Sequence, residues 1–169
     1  MSHFLYKNKN LFCENVDVRD IAQKYGTPSY VYSKKTLEEN FESYFNAFEK
    51  NQGLICFSVK SLSNISVLKL LNEKGSGFDI VSGGELERAI HAGANPKKII
   101  FTGIAKSNEE ITAGIKRNIL AFNIESEAEM HRIEKLAAAE NKVVDVAVRF
   151  NPEIDSGGHE YIKTGRKKD

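Results

Sequence analysis

The sequence contains few of the residue types that are typical of specialised structural classes. Two cysteines, three prolines and no tryptophan occur among its 169 residues. Cys13 and Cys56 are too few for a disulfide framework or a thiolate metal cluster, and they suit a reducing cytoplasm. No two histidines have a metal-binding spacing such as His-x-x-x-His. These absences argue against a disulfide-rich secreted scaffold, and the sequence predicts no metal site.

Charge of one sign and long apolar runs are also missing. The formal net charge is +1, so the sequence has no basic footprint for nucleic acid or for a membrane surface. No apolar run approaches the roughly 20 residues that span a bilayer. The N-terminal segment MSHFLYKNKNLFCE is interrupted by lysine and asparagine and lacks the apolar core of a signal peptide. We therefore expect a cytoplasmic protein with no nucleic-acid or membrane partner.

A regular alternation of strand and helix patterns is what the sequence does contain. With 41% hydrophobic and 28% charged residues, its composition is that of an ordinary globular domain. Five strand-like apolar runs recur about every 22 residues, and they begin near Leu54, Gly77, Lys98, Leu120 and Val143. Helical patterns fill the gaps. A further amphipathic helix precedes the first run, with the apolar stripe Leu37, Phe41, Tyr44/Phe45 and Phe48, which is predicted to be core.

Helix starts are signalled after three of the runs. Each of the second, third and fourth runs is followed by the capping-box pattern Ser-x-x-Glu, at Ser82/Glu85, Ser107/Glu110 and Ser126/Glu129. Consecutive βα units of this kind predict a parallel sheet. The sequence is therefore assigned to the α/β class.

Two architectures remain open from the pattern alone. One is a complete five-stranded doubly wound sheet, and the other is the N-terminal part of a (β/α)8 barrel, which requires three more units. The even spacing favours the barrel, as does the absence of a glycine-rich phosphate turn after the first run. We expect about five βα units of a TIM-type barrel that is incomplete by itself.

Candidate functional residues lie where the predicted strands end, because parallel α/β folds place their sites at the carboxyl ends of strands. Lys60 is predicted to end the first strand, with Ser58 on the same side of it. An amine held there among apolar walls loses its proton readily and can form a Schiff base with an aldehyde. A lysine that extends from a strand end into solvent gives the same sequence pattern.

The other candidates also have structural explanations. Asp79 lies within the second strand and Arg149 ends the fifth, and either could serve in an ion pair. Glu85 is accounted for by the capping box after the second strand. His159 lies in the glycine-rich loop DSGGHEYIKTG, which follows the fifth strand and opens on the same face of the predicted sheet.

Six segments of the chain form a recognisable series: YGTPSYVYS, ICFSVKSLSN, GSGFDIVSGGELERAIHAG, IIFTGIAKSNEEI, NIESEAEM and VAVRFNPEIDSGGHEYIKTG. In this order they resemble the N-terminal part of the diaminopimelate decarboxylase family. That family belongs to the alanine racemase-like decarboxylases that use pyridoxal 5′-phosphate. The resemblance extends from about Phe4 to Asp169.

The resemblance implies a role for each candidate residue. Lys60 matches the lysine that forms the Schiff base with the cofactor, and Ser58 falls beside the cofactor. Asp79 matches an aspartate that orients a histidine stacked on the cofactor. Glu85 matches a carboxylate of the same network, and Arg149 matches an arginine near the cofactor.

Two segments depart from the family pattern. Leu62 stands where the family usually has an asparagine. The loop that carries His159, on the implied substrate side, lacks the threonine before the histidine and the proline after it. Both departures concern the placement of substrate more than the binding of cofactor.

The resemblance also implies an activity and an organisation. The implied reaction converts meso-diaminopimelate to L-lysine and carbon dioxide. Residues 1–30 would pack with a C-terminal β domain that this chain lacks, residues 31–169 would form the partial barrel, and the full-length enzyme would be a homodimer. We therefore expect the 169 residues alone to be inactive.

Three other functions remain open. The first is a related decarboxylase that acts on carboxynorspermidine, arginine or ornithine. The second is a non-catalytic barrel protein that binds the same cofactor. The third, from the residue pattern alone, is a complete five-stranded signalling or nucleotide-binding domain.

Overall fold

The N-terminal part of the molecule is a small antiparallel sheet that the sequence patterns did not predict. The computed structural model describes residues 3–48 and 53–150. Its first three strands pair in sequential order, and they are β1 (Phe4–Lys7), β2 (Asn10–Cys13) and β3 (Val16–Asp17). The strands have only two to four residues each. Such short pairings give almost no periodicity, which explains why the sequence did not reveal them.

Two helices connect this small sheet to the main one. Helix α1 (Val18–Tyr25) begins at Asp17, whose carboxylate accepts the Arg19 N–H at 2.8 Å. It ends at Gly26, whose φ of 83° is a conformation that glycine adopts without strain. Helix α2 (Lys34–Phe48) follows.

The start of α2 is tied to the small sheet through one carboxylate. Glu14 Oε1 accepts hydrogen bonds from the Ser33 hydroxyl at 2.8 Å and from the Lys35 N–H at 2.9 Å. These two donors, the backbone N–H first, lower the pKa of the Glu14 carboxyl. The N-terminal sheet is thereby attached to the helix that leads into the main sheet.

The main sheet consists of five parallel strands in sequential order. They are β4 (Cys56–Ser58), β5 (Gly77–Ile80), β6 (Ile99–Phe101), β7 (Ala121–Ile124) and β8 (Val146–Val148). A doubly wound sheet reverses its strand order at a switch point, whereas a barrel adds each strand beside the previous one. The unbroken order β4 to β8 therefore excludes the doubly wound alternative, and the predicted barrel segment is confirmed.

Four helices cover one face of this sheet. They are α3 (Ile65–Glu73), α4 (Gly83–His91), α5 (Asn108–Arg117) and α6 (Glu127–Ala139). Alternate residues of the central strands, among them Phe78, Phe101 and Phe122, are fully buried in one cluster with apolar residues of these helices. The hydrophobic core lies in this layer between the sheet and the helices.

The apolar stripe of α2 is only partly core, contrary to the prediction. Phe41 is buried and packs with the main cluster, whereas Tyr44 is 65% exposed and both Phe45 and Phe48 are exposed too. From this stripe Phe41 joins the core cluster and Leu37 packs against it, so only one side of the stripe meets the core. None of the described helices is long and apolar enough to cross a membrane.

Candidate active site

A row of polar side chains crosses four neighbouring strands at the carboxyl end of the main sheet. Ser58 lies directly opposite Asp79 in the β4–β5 register. The Ser58 hydroxyl donates to Asp79 Oδ2 at 3.4 Å, and the Thr102 hydroxyl donates to Asp79 Oδ1. Asn123 Nδ2 donates to Thr102 Oγ1 at 2.9 Å. We call Ser58, Asp79, Thr102 and Asn123 the polar row.

The polar row lies on the face of the sheet opposite the helices. Its four side chains are half-buried, whereas their strand neighbours Phe78, Phe101 and Phe122 are fully buried in the helical layer. In a barrel this second face is the interior. The row therefore places one carboxylate, with a hydroxyl donor on each side, near the end of the barrel that carries functional groups.

Lys60 lies beside this row, but not where the sequence placed it. Strand β4 ends at Ser58, and Lys60 is the middle residue of a 3₁₀ turn, Val59–Ser61. Ser58 and Lys60 are thus not related by strand alternation. The side chain is exposed rather than held among apolar walls, and no hydrogen bond or ion pair joins its amine to the described residues. The amine is free to meet a ligand.

The turn that carries Lys60 is well anchored. Val59 is fully buried, and the Ser61 hydroxyl donates to the Ser58 carbonyl at 2.6 Å. Helix α3 starts immediately afterwards, where Asn64 Oδ1 accepts the N–H groups of Ser66 at 2.9 Å and Val67 at 3.3 Å. A fixed backbone therefore presents a solvent-exposed lysine side chain.

Glu85 has a backbone partner at the end of β5. Its Oε2 accepts the Val81 N–H at 2.8 Å, while the Ser82 hydroxyl accepts the Glu85 N–H at 3.2 Å. The glutamate thus bonds to the residue before the helix cap instead of to the cap itself, which differs from a full capping box. Of the three predicted boxes, both reciprocal bonds form only at Ser107 and Glu110.

Arg149 lies at the opposite end of the site from Lys60. Its guanidinium bonds both oxygens of Glu125 at 3.1 Å, and its side chain is 52% exposed. Three strands separate β4 from β8, so the structure does not bring Arg149 and Lys60 into contact. The two residues bracket the polar row from the two edges of the sheet.

A buried ion pair, which sequence reasoning missed, supports the middle of the site. Lys106 Nζ donates to Glu129 Oε1 at 2.8 Å and to the carbonyls of Gly103 at 2.6 Å and Asn123 at 2.7 Å. Both side chains are almost fully buried, with exposed fractions of 1% and 4%. The second carboxylate oxygen of Glu129 accepts the Glu125 N–H at 3.0 Å. This pair joins the loops that follow β6 and β7.

The Cys56 thiol, on the edge strand β4, is affected by the charge of Asp79. Burial raises the pKa of this thiol, and the negative charge of Asp79 raises that pKa further. The thiol is therefore a weak nucleophile at neutral pH.

His159, the remaining candidate, lies outside the described residues.

Fold and site together define a class of protein. Parallel βα units in sequential order form part of a barrel, and at or just after its strand ends lie an exposed lysine, a hydrogen-bonded carboxylate and an arginine–glutamate pair. The chain belongs to the family described as pyridoxal-dependent decarboxylase, pyridoxal binding domain, whose model matches residues 34–169.

Curated relatives at high identity share one name. The chain is 45% identical over 168 residues to a diaminopimelate decarboxylase of Haemophilus influenzae, covering 99% of this chain and 40% of the relative. It is 46% identical over 157 residues to that of Neisseria meningitidis serogroup A, covering 93% and 39% of the two chains. The chain thus spans about 40% of the length of these relatives.

Solved structures agree on the fold. The diaminopimelate decarboxylase of M. jannaschii, in co-complex with L-lysine, is similar with a TM-score of 0.89 and 35% identity, over 98% of this chain and 40% of that one. The Helicobacter pylori enzyme, complexed with L-lysine, has a TM-score of 0.86 and 39% identity, over 90% and 39%. A Chlorella virus arginine decarboxylase, at 20% identity and a TM-score of 0.68, shares the fold alone.

Proposed function

We propose that this chain is the lysine-bearing barrel segment of a diaminopimelate decarboxylase, which converts meso-diaminopimelate to L-lysine and carbon dioxide with pyridoxal 5′-phosphate. The observation that carries the proposal is the exposed lysine, Lys60, in the turn directly after Ser58, whose hydroxyl bonds Asp79 at the carboxyl end of the sheet. The 45% identity to the H. influenzae relative over 168 residues supports the choice of substrate.

The described residues fit this cofactor. Covalent attachment to an aldehyde requires a primary amine, and Lys60 provides one that has no bonding partner within residues 3–48 and 53–150. The half-buried face that follows from Ser58 across the sheet offers a ligand hydroxyl and carboxylate groups. When bound, pyridoxal phosphate supplies an electron sink for cleavage of the bond between Cα and the carboxylate.

The other site residues would act around that attachment point. Ser58 would contact the cofactor from the end of β4, two residues before Lys60, and Asp79 would present a carboxylate of fixed orientation. Glu85 would act by holding the backbone at Val81, since one carboxylate oxygen already accepts that N–H. Arg149, already paired with Glu125, would border the cofactor from the far edge.

The wider organisation is part of the same proposal. Residues 1–30 would pack with a C-terminal β domain, residues 31–169 would form part of the barrel, and His159 would lie on the substrate side. The active protein would be a homodimer in the cytoplasm. Two free cysteines, Cys13 and Cys56, support a reducing compartment.

The test uses a fusion protein in which residues 1–169 replace the matching part of the H. influenzae relative. We expect this fusion protein to release lysine from meso-diaminopimelate when pyridoxal phosphate is present. Lys60→Ala should abolish that activity, because no other amine would hold the cofactor. Lys69→Ala is the matched control, since Lys69 is an exposed lysine of the nearby helix α3.

Borohydride reduction in the presence of the cofactor, followed by peptide mapping, gives a second reading. A single adduct on Lys60 is expected. Adducts scattered over surface lysines, or an active Lys60→Ala variant, would overturn the proposed role of Lys60. Turnover of arginine, ornithine or carboxynorspermidine in place of diaminopimelate would overturn the substrate assignment alone.

A further inference from the structure

Asp79 receives hydrogen bonds from the strands on both sides of it. Ser58 on β4 donates to Oδ2, and Thr102, directly after β6, donates to Oδ1. A carboxylate with a donor on each oxygen cannot rotate about its terminal bond without breaking a hydrogen bond. The orientation of Asp79 is therefore set by its two neighbours in the sheet.

The direction of the hydrogen bonds is set further along the row. Asn123 Nδ2 donates to Thr102 Oγ1 at 2.9 Å. A threonine hydroxyl has one proton, so an oxygen that accepts from Asn123 directs its own proton elsewhere, and here that proton points to Asp79. Asn123 thus acts on Asp79 through Thr102, although it does not touch the carboxylate.

At its Asn123 end, the polar row is held through two backbone carbonyls that bond the Lys106 side chain. Lys106 donates to the carbonyl of Gly103, next to Thr102 in the chain, and to the carbonyl of Asn123 itself. Its ion pair with Glu129 is almost fully buried, which makes this connection costly to break. The loop after β6, which begins at Thr102, is thereby held against strand β7, which carries Asn123.

We propose that Thr102 and Asn123 are positioning residues that act in series on Asp79 and so determine how tightly the cofactor is retained beside Lys60. The inference rests on the proposed function, in which Asp79 belongs to the cofactor side of the site. Neither Thr102 nor Asn123 needs to contact the cofactor. Their effect is to present one pre-oriented carboxylate, which saves the free energy of ordering it on binding.

The test measures the Kd of pyridoxal 5′-phosphate for the fusion protein, from the visible absorbance of the bound cofactor. Thr102→Val keeps the shape and removes the hydroxyl, and we expect the Kd to rise by up to about tenfold, the size expected for ordering one freed side chain on binding. Thr102→Ser restores the hydroxyl and should bind within about threefold of the parent. Thr112→Val makes the same chemical change on the outer face of α5 and should leave the Kd unchanged.

A serial arrangement has a signature that independent structural effects lack. Asn123→Leu alone should weaken cofactor binding, because the Thr102 hydroxyl is then free to rotate away from Asp79. In the Thr102→Val background the same change should add nothing further, since no hydroxyl remains to be oriented. Circular dichroism at the binding temperature checks that every variant is folded.

The outcomes separate this inference from the function on which it rests. A parent fusion protein that acquires no adduct on Lys60 overturns both. A parent that binds the cofactor on Lys60 leaves the proposed function standing. In that case an unchanged Kd in Thr102→Val, a Thr102→Ser variant as weak as Thr102→Val, or additive effects of Thr102→Val and Asn123→Leu would overturn the serial row alone.

Discussion

The middle strands and the edge strands of the main sheet are built from the same repeating unit but have different surroundings. In β5, β6 and β7 the helix-facing residues, such as Phe78 and Phe101, are fully buried. In β8, Val146 and Val148 are exposed, the latter at 76%. Burial depends on having a neighbour on each side, so the stabilising core is concentrated in the middle of the sheet.

Functional groups follow the same division. Asp79 and Thr102, in the middle, are hydrogen-bonded to each other and to their neighbours in the sheet. Lys60 and Arg149, at the two edges, have exposed side chains. Under the proposed function, the residues that would reach a ligand are at the edges, and the residues that fix one another are in the middle.

The largest expected difference is in the core. Phe122→Ala removes a fully buried ring from β7, and we expect a loss of about 4 kcal/mol in the free energy of unfolding. Val148→Ala on β8 should change it by less than about 0.5 kcal/mol, because that side chain already meets solvent. Urea unfolding of the two variants measures both values. Equal losses would show that the edge strand is as well packed as the middle.

Removing an ion pair should also lower the free energy of unfolding much more in the middle of the sheet than at its edge. Lys106→Met leaves the buried carboxylate of Glu129 without its partner, and we expect a loss of about 3 kcal/mol in the free energy of unfolding. Arg149→Met removes the corresponding cation at the edge, where solvent screens the pair with Glu125, and should cost about 0.5 kcal/mol. Denaturant midpoints at constant ionic strength give the comparison.

A double variant tests the reason for the difference. Glu129→Gln keeps an oxygen for the Glu125 N–H but removes the unpaired charge. Lys106→Met combined with Glu129→Gln should therefore be more stable than Lys106→Met alone. If Lys106→Met is tolerated as well as Arg149→Met, the middle of the site has no special electrostatic requirement.

Much of the fold could be predicted because its signals are local and repeated. The predicted run at Gly77 begins where β5 begins, and that at Lys98 lies one residue before β6. Ile111 and Ile115, which mark the apolar face of one helix, are buried as the pattern requires. Strand order could not be deduced from these signals, since the same alternation suits a doubly wound sheet until the pairing is known.

The site was only half predictable for a physical reason. Asp79 stands out as a charge inside an apolar run, and the sequence singled it out. Lys106 and Asn123 have partners 17 to 23 residues away, and no local pattern encodes such contacts. The 3₁₀ turn at Lys60 also escaped prediction, because a single turn at a strand end leaves no periodicity.

The contribution of a helix cap to the free energy of unfolding is expected to be the same at the edge and in the middle of the sheet. Asn64→Ala, at the edge beside Lys60, and Ser107→Ala, in the middle, each remove a side-chain acceptor from a helix start. Each should lower the free energy of unfolding by about 1 kcal/mol, since a cap depends on its own helix and not on the sheet. Thermal unfolding of the two variants measures this. A much larger loss at Ser107 would mean that caps share in the tertiary network.

The smallest expected effect is that of Asp79, on a middle strand, on the reactivity of Cys56, on an edge strand. Asp79 raises the pKa of the Cys56 thiol on the adjacent strand, in addition to the larger effect of burial. Asp79→Asn removes that charge, so the thiol pKa should fall and more thiolate should be present at a given pH below it. We expect alkylation of Cys56 near pH 8 to accelerate on the order of twofold, because the charge is the lesser cause of the shift. Site-resolved mass spectrometry of alkylated peptides measures the rate.

Two controls give this last effect its meaning. Cys13, whose thiol pKa is raised by burial and by Glu14, serves as the internal reference and should react at an unchanged rate. At a pH well above both thiol pKa values, the Cys56 rate should be the same with and without the Asp79 charge. Faster reaction at high pH would instead mean that Asp79→Asn loosens β4. An unchanged rate near pH 8 would mean that the charge of Asp79 does not affect the pKa of the Cys56 thiol.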